Sequence, residues 1–250
     1  LMIEEKMCLR SANLIIATNE SYKEIDIKRG NKKPEDIFVV RNGPDLSIFH
    51  LVEPDVELKK SGKKIFVYIG VMGPQDGVDY LLKALSTLVN KFNRKDFYCV
   101  IVGPGDSLDD LKKLREELNL QEYCKFTGKI PFDDLLKYLS TADICLDPNP
   151  SNPLNDQSTW IKIMEYMSLG KPIVSFDLKE TRFSAQEAAL YATPNDITEY
   201  AENIITLMDS PDLREKMGKY GMERIEKHLA WQVVSEKLLD AYKKLIPKKD

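Results

Sequence analysis

The chain has 250 residues, with 36 Lys and Arg against 40 Asp and Glu, a formal net charge of −4 and a pI of about 5.5. That length suits one large α/β domain and part of another, and a 43% hydrophobic content is ordinary for a globular protein. There is no overall basic field to attract nucleic acid, no apolar run of about 18 residues to span a membrane and no signal-peptide pattern, so the expectation is a cytoplasmic protein.

Ile3–Arg10 has a helical pattern that feeds directly into a strand, Leu14–Thr18, and a second strand is expected at Ile37–Arg41. Asn42-Gly43-Pro44-Asp45 then reads as a linker. Beyond it, short apolar runs alternate with helical periodicity. The strands are Ile65–Gly70, Tyr98–Gly103, Tyr123–Thr127, Ile144–Asp147, Pro172–Phe176 and Ala189–Ala192. The helices run near Val78–Phe92, Ser107–Leu118, Phe132–Ser140, Ser158–Leu169, Ile197–Met208, Pro211–His228 and Trp231–Leu245. Such alternation predicts an α/β fold, a Rossmann-like doubly wound parallel sheet with helices on both faces and right-handed crossovers. No solenoid-type repeat or low-complexity segment interrupts it.

Cys99 and Cys145 fall inside apolar strands and are expected to be buried reduced thiols. With Cys8 and Cys124 they form no CxxC or Cys/His spacing, so no metal is expected. His50 and His228 lie far from the richest motif, and the Lys-Lys-Asp tail is the one local concentration of positive charge.

In doubly wound sheets ligands sit beyond the carboxyl ends of the strands. Five loops answer that description: Gly70–Gly77, Gly103–Ser107, Gly128–Pro131, Asp147–Ser158 and Asp177–Ser184. The most informative runs from Asp147 through a polar, proline-rich stretch onto a helix expected to open near Ser158. The unpaired amides and partial positive charge of a helix N-terminus suit a phosphate, so Ser158 and Thr159 are the candidates for a diphosphate, with Lys162 adding a point charge. Glu165, about two turns further in, can accept hydrogen bonds from a ribose diol, and Met164, Met167 and Leu169 already supply the buried face. Plainer readings stand beside these: an ordinary N-cap, an exposed Lys162–Glu165 pair at i, i+3, a tight strand-to-helix turn at Gly70-Val-Met-Gly73 and a simple strand exit at Gly128-Lys129-Ile130.

Lys162-Ile-Met-Glu165-Tyr-Met-Ser-Leu-Gly170-Lys-Pro172-Ile-Val resembles the signature of retaining glycosyltransferases of the family 4 type. Ala17-Thr-Asn-Glu-Ser21, Val40-Arg-Asn-Gly-Pro-Asp45, Tyr68-Ile-Gly-Val-Met-Gly-Pro-Gln-Asp-Gly77, Ile101-Val-Gly-Pro-Gly105 and Phe126-Thr-Gly128 match in the same order, so the resemblance covers roughly Ser11 to Leu245. It implies a GT-B fold, two Rossmann-like lobes facing across a cleft. The division it implies is 1–44 as the end of an N-terminal acceptor lobe with its linker, 45–229 as the nucleotide-sugar-binding domain, and 230–250 as a helix crossing back, begun by Trp231. On that reading the chain holds the tail of the first lobe and all of the second.

The resemblance also implies roles. Glu165 stands where the family's ribose-holding glutamate sits. The family's other glutamate, eight positions earlier, is here Gln157, flanked by Asp156, which either substitutes for it or caps the helix. Asp156, Gln157 and Glu165 are therefore the expected catalytic set. Gly70, Met72, Gly73, Gly103, Gly105 and Gly128 are expected to approach the donor through their backbones, with Lys129 and Ile130 at the base and Asn155, Ser158 and Thr159 at the diphosphate. The family's basic pair in the first glycine loop is absent, its places taken by Val71 or Met72 and by Asp76, so the positive charge is expected from Lys162, Lys129 and Arg182. The implied reaction transfers a hexose from a UDP- or GDP-sugar to a saccharide or lipid-linked acceptor with retention, using no cofactor and no metal. The implied partners include no nucleic acid, and peripheral membrane association would run through the preceding lobe. Two other readings remain: a nucleotide-sugar-binding module without catalysis, and a sugar-nucleotide 2-epimerase, which would want histidines where none stand.

Overall fold

Lys64–Ile69 (β3) and Phe97–Val102 (β4) are near-continuous apolar runs, and in the computed structural model, which describes residues 2–246, they lie side by side inside a six-stranded parallel sheet. Strands buried on both faces need such runs, because helices cover the sheet above and below. The order is β5-β4-β3-β6-β7-β8, with β5 Cys124–Gly128, β6 Ile144–Asp147, β7 Ile173–Phe176 and β8 Ala189–Ala192. The chain winds outward from β3 in one direction, then returns to β6 and winds in the other. The winding therefore reverses between β3 and β6, where a doubly wound sheet opens its ligand crevice. These strands pair at Phe66↔Ile144 and Val67↔Cys145 and then splay apart. The Tyr166 hydroxyl fills the gap, accepting from Ile69 N–H at 2.9 Å and donating to Leu146 O at 3.3 Å.

One face is covered by α4 (Val78–Asn90), α5 (Leu108–Glu117) and α9 (Ile197–Asp209), whose Leu81, Leu85, Leu88, Ile204 and Leu207 pack with Phe66 and Phe97. The other carries α6 (Phe132–Thr141), α7 (Ile161–Ser168) and α10 (Pro211–Arg224), with Ile163, Met164, Tyr166 and Met167 wholly buried. Each such side chain is worth roughly 1.5–3 kcal/mol on burial, so these two layers rather than helix propensity hold the sheet. All four cysteines are free; Cys99, Cys124 and Cys145 are buried, and burial raises the Cys124 and Cys145 thiols to about 12. They are inert core side chains, as expected for Cys99 and Cys145.

Ahead of this sheet lies a second, two-stranded parallel one, β1 (Ile15–Ala17) with β2 (Ile37–Val39), flanked by α1 (Met2–Ser11) and α2 (Glu20–Gly30). The linker packs tightly: a Cβ on Gly43 would sit 1.9 Å from Leu229 O, and Trp231 N–H donates to Pro44 O. From Trp231 the last helix, α11 (Trp231–Leu245), returns to β2, where Lys244 meets Asp36 at 2.8 Å. The Lys-Lys-Asp tail falls outside the described residues.

Three helices escape the periodicity reading: α2, α3 (Val56–Lys60) and α8 (Lys179–Ala185). The stretch expected as one helix over Pro211–His228 instead loosens into a π-type turn at Ile225–Leu229 before Ala230. The expected start of α7 is corrected too. Asn155–Gln157 forms a 3₁₀ turn, Ser158 is extended (φ −93°, ψ 139°), and the helix opens at Ile161 with Trp160 as its N-cap.

Candidate functional site

Three glycine loops stack at the carboxyl ends of β3, β4 and β5. Gly70 (φ +152°) and Gly103 (φ +136°) adopt backbone that side chains rarely take, and a Cβ on Gly103 would fall 1.9 Å from Gly70 O. Gly103 N–H donates to Gly128 O at 3.1 Å, and Gly105 approaches the Met72 backbone. The glycines permit this backbone-to-backbone contact. Within the first loop, Met72 is fully buried and its N–H and C=O are both taken, by Pro104 O and Ser107 N–H. Met72 is thus a core residue, and Val71 is the exposed one. Gly73 N–H donates to Asp76 Oδ2, so the carboxylate standing in the family's basic position closes the loop on itself. Lys129 is exposed at the exit of β5, and Ile130 packs on the core beside it.

The loop after β6 is built differently. Asp147, wholly buried, accepts from Ser175 Oγ at 2.9 Å, and its other oxygen lies 3.4 Å from Lys162 Nζ without a hydrogen bond. Burial pushes the Asp147 carboxyl above its ordinary range, opposed by the Lys162 charge. Lys162 Nζ donates to Asn149 Oδ1 at 2.7 Å and lies over the Tyr68 and Trp160 rings at 4.8 and 5.0 Å. Only 7% of Lys162 is exposed. The ammonium therefore points inward: it neutralises Asp147 and ties the loop to α7, where the sequence had placed it against phosphates. Asn149 and Asn155 both donate to Gln75 O, at 3.1 and 2.8 Å, which fastens this loop to the first glycine loop. Asn155 is fully buried, so it braces the loop rather than presenting a side chain to a ligand.

Glu165 follows Lys162 by one turn on α7 and is half-buried. No hydrogen bond reaches its carboxylate among the described residues. Burial raises its pKa to about 7, with Lys162 pulling the other way. A half-buried carboxylate that no donor reaches among the described residues is suited to receive one. At the N-terminus of the same helix Ile163 N–H closes on Trp160 O at 3.2 Å, and the amides before it have no earlier turn to bond to. The amides left open at the start of α7 are thus those near Trp160–Lys162, later in the chain than the expected Ser158 and Thr159.

Those two residues are engaged elsewhere. Ser158 Oγ lies 3.1 Å from Tyr22 OH, and Thr159 Oγ1 accepts from Asn19 Nδ2 at 3.0 Å. Gln157 lines a groove of about 570 Å³ with Thr18, Tyr22 and Leu154. Asp156 accepts from Ser151 Oγ at 3.2 Å. Arg182 is not brought to this crevice. It binds Asp177 through 2.5 and 2.6 Å contacts, stacks 4.1 Å from the Tyr191 ring, and lines a separate groove of about 810 Å³ with Phe183 and Tyr220. Its charge is already matched by Asp177, so it supplies none to the crevice.

The sequence reading missed Asp147, Asn149, Asn19 and the buried Arg41–Glu180 ion pair (2.9 Å). Asp147 was visible as an acid ending an apolar strand, and Asn19 as an N-cap residue two before Ser21. Among the described residues no helix is long and apolar enough to cross a membrane.

The family model for glycosyl transferases group 1 matches residues 52–224. Among curated relatives, a GDP-mannose-dependent monoacylated alpha-(1-6)-phosphatidylinositol monomannoside mannosyltransferase of Corynebacterium glutamicum is 27% identical over 172 residues, 66% of this chain and 43% of the relative. Alpha-D-kanosaminyltransferase of Streptomyces kanamyceticus is 25% identical over 159 residues, 63% of this chain and 39% of the relative. The chain thus spans less than half the length of these relatives. Among solved structures, sucrose-phosphate synthase of Thermosynechococcus elongatus superimposes with TM-score 0.81 at 22% identity, covering 98% of this chain and 61% of its own. Anabaena HepE in complex with UDP-glucose gives TM-score 0.83 at 16% identity, covering 97% and 66%.

Proposed function

The chain belongs to the group 1 glycosyl transferases, and from that premise we propose that it is the donor-binding part of a retaining hexosyltransferase. Its donor is a UDP- or GDP-hexose and its acceptor a saccharide or lipid-linked sugar. The observation that carries this reading is Glu165, a half-buried carboxylate without a donor, one turn inside the helix that opens at the sheet's reversal point. The ribose diol meets that carboxylate, and the diphosphate meets the opening amides of α7. Gly70, Gly103 and Gly128 give the backbone surface against which the nucleotide lies. A GDP-mannose-dependent relative and a neighbour holding UDP-glucose support the donor class. We assign 1–44 to the end of an acceptor lobe, 45–229 to the donor domain and 230–250 to the returning helix, with a cytoplasmic location.

A thermal-shift and calorimetric screen of UDP, GDP, ADP and their sugars tests this. A ligand at about 100 times its Kd should add roughly 2.7 kcal/mol of stability; no stabilisation by any of them would remove the donor-site reading. A second reading, binding without transfer, is favoured by Gln157, uncharged where the family has an acid, and by Asp156, which is tied to Ser151. Slow release of free sugar from the bound donor would favour transfer chemistry over simple binding.

A further inference from the structure

The turn Gln157–Thr159 joins the end of a 3₁₀ turn to α7, and its extended Ser158 bonds locally to Asn155 O and Leu154 O but belongs to no ladder. On both sides of Ser158 it is gripped from 138 to 140 residues away in sequence by one buried side chain. Asn19 is 0% exposed. Its Oδ1 accepts from Tyr22 N–H at 2.7 Å, which caps α2. Its Nδ2 donates to Gln157 O at 2.9 Å and to Thr159 Oγ1 at 3.0 Å. Both amide hydrogens are therefore spent on either side of Ser158. The opposite assignment of the amide would set a donor against the Tyr22 N–H and an acceptor against the Gln157 carbonyl. Neighbours reinforce the same seam: Tyr22 OH meets Ser158 Oγ, Arg41 Nη1 reaches Thr159 Oγ1 at 3.4 Å, and Arg41 and Ser21 both bind the buried Glu180.

We propose that Asn19 is a positioning residue for the Gln157–Thr159 turn, so that the N-terminal segment sets the geometry of the candidate donor site. The inference rests on the reading of that site as nucleotide-binding. An Asn that only caps a helix needs its oxygen; this one uses its nitrogen on the distant loop that leads into α7. The two roles separate chemically. Serine is as good an N-cap as asparagine, but its single hydroxyl is too short to span α2 and the turn together.

The test is Asn19→Ser in the 250-residue chain, read by amide hydrogen exchange and by calorimetry with UDP and GDP. The expected result is unchanged protection in α2, at least tenfold faster exchange in peptides covering 155–161, and at least tenfold weaker binding of whichever nucleotide the wild type prefers. Unchanged exchange at 155–161 would overturn the clamp. Faster exchange with unchanged nucleotide affinity would overturn the positioning role. If Asn19→Ser loses protection in α2, Thr159→Val decides by the same two readouts, because it removes the acceptor and leaves the cap intact. A wild-type chain that bound neither UDP nor GDP would sink the donor-site reading, while the exchange measurement would still judge the clamp.

Discussion

Two loops leave neighbouring strands at the point where the sheet reverses, and they solve the same problem in opposite ways. The loop after β3, Gly70–Gly77, is closed within itself and against the loop after β4. Met72 is core, its amide and carbonyl are paired, and Asp76 caps Gly73. What it offers a ligand is backbone. The loop after β6, from Asp147 to Trp160, is held by its own buried polar side chains. Asn149 and Asn155 are tied to Gln75 O, and Lys162, on α7, is turned onto Asp147 and Asn149. The difference teaches how a buried charge is placed: the lysine on α7 is held by a buried acid at the end of β6, and that pair in turn fixes the loop.

Removing the cation breaks this arrangement most severely. Lys162→Met should lower stability by about 3–5 kcal/mol, because Asp147 is then buried without its counter-charge. Lys162→Met with Asp147→Asn should recover much of that loss. Urea unfolding of the two variants checks both statements. A Lys162→Met chain as stable as wild type, with selectively weaker binding of nucleoside diphosphates than of nucleosides, would mean that the lysine faces phosphate after all.

Glu165 sharpens the comparison from the functional side. Glu165→Gln should weaken nucleotide binding by roughly 1.5–3 kcal/mol, the range for hydrogen bonds to a charged group. It should also stabilise the ligand-free protein. Burial raises the Glu165 pKa from 4.5 to about 7, so the folded state disfavours the charged form. That penalty is absent below pH 4.5, grows as pH rises and is complete above about 7, where its removal is worth up to about 3 kcal/mol. Calorimetry and urea unfolding at pH 8 read the two effects. A variant weaker in binding yet no more stable would show that the carboxylate is already solvated in the free protein.

How far the sequence could reveal these loops follows from how local their determinants are. β3, β4 and β6 announced themselves as apolar runs, and α4 and α11 as amphipathic repeats. These signals depend only on which face is buried. α2 gave no such signal because only Ser21 and Gly30 are buried; its marks are the Asn19 cap and the left-handed Asn31 (φ 53°) that ends it. Ser158 and Thr159 are good caps by type, yet the 3₁₀ turn ahead of them and the pull of Asn19 move the helix start to Ile161. The place of Glu165 one turn after Lys162 on one helix could be read from spacing. The direction of Lys162 could not, because it is decided by Asp147 and Asn149 on another element. Arg182 was lost in the same way to Asp177 and Tyr191.

The gentlest probe leaves the sequence alone and changes the pH. If the ionised Glu165 accepts the ribose hydroxyls, only the charged fraction of the free protein is competent to bind, and apparent affinity scales with that fraction. With the pKa raised to about 7, the charged form dominates at pH 8 and is about a tenth of the population at pH 6. The dissociation constant of a sugar nucleotide should therefore rise about eight- to tenfold from pH 8 to pH 6 and be level above pH 8. A sugar nucleotide is the right probe because its diphosphate is esterified at both ends and has no proton to exchange near neutrality. Glu165→Gln should flatten the profile. Lys162 opposes the shift from one turn away, so Lys162→Met, if folded, should move the midpoint upward. A wild-type profile flat between pH 6 and 8, or one that tightens toward acid, would mean that the ribose does not meet this carboxylate.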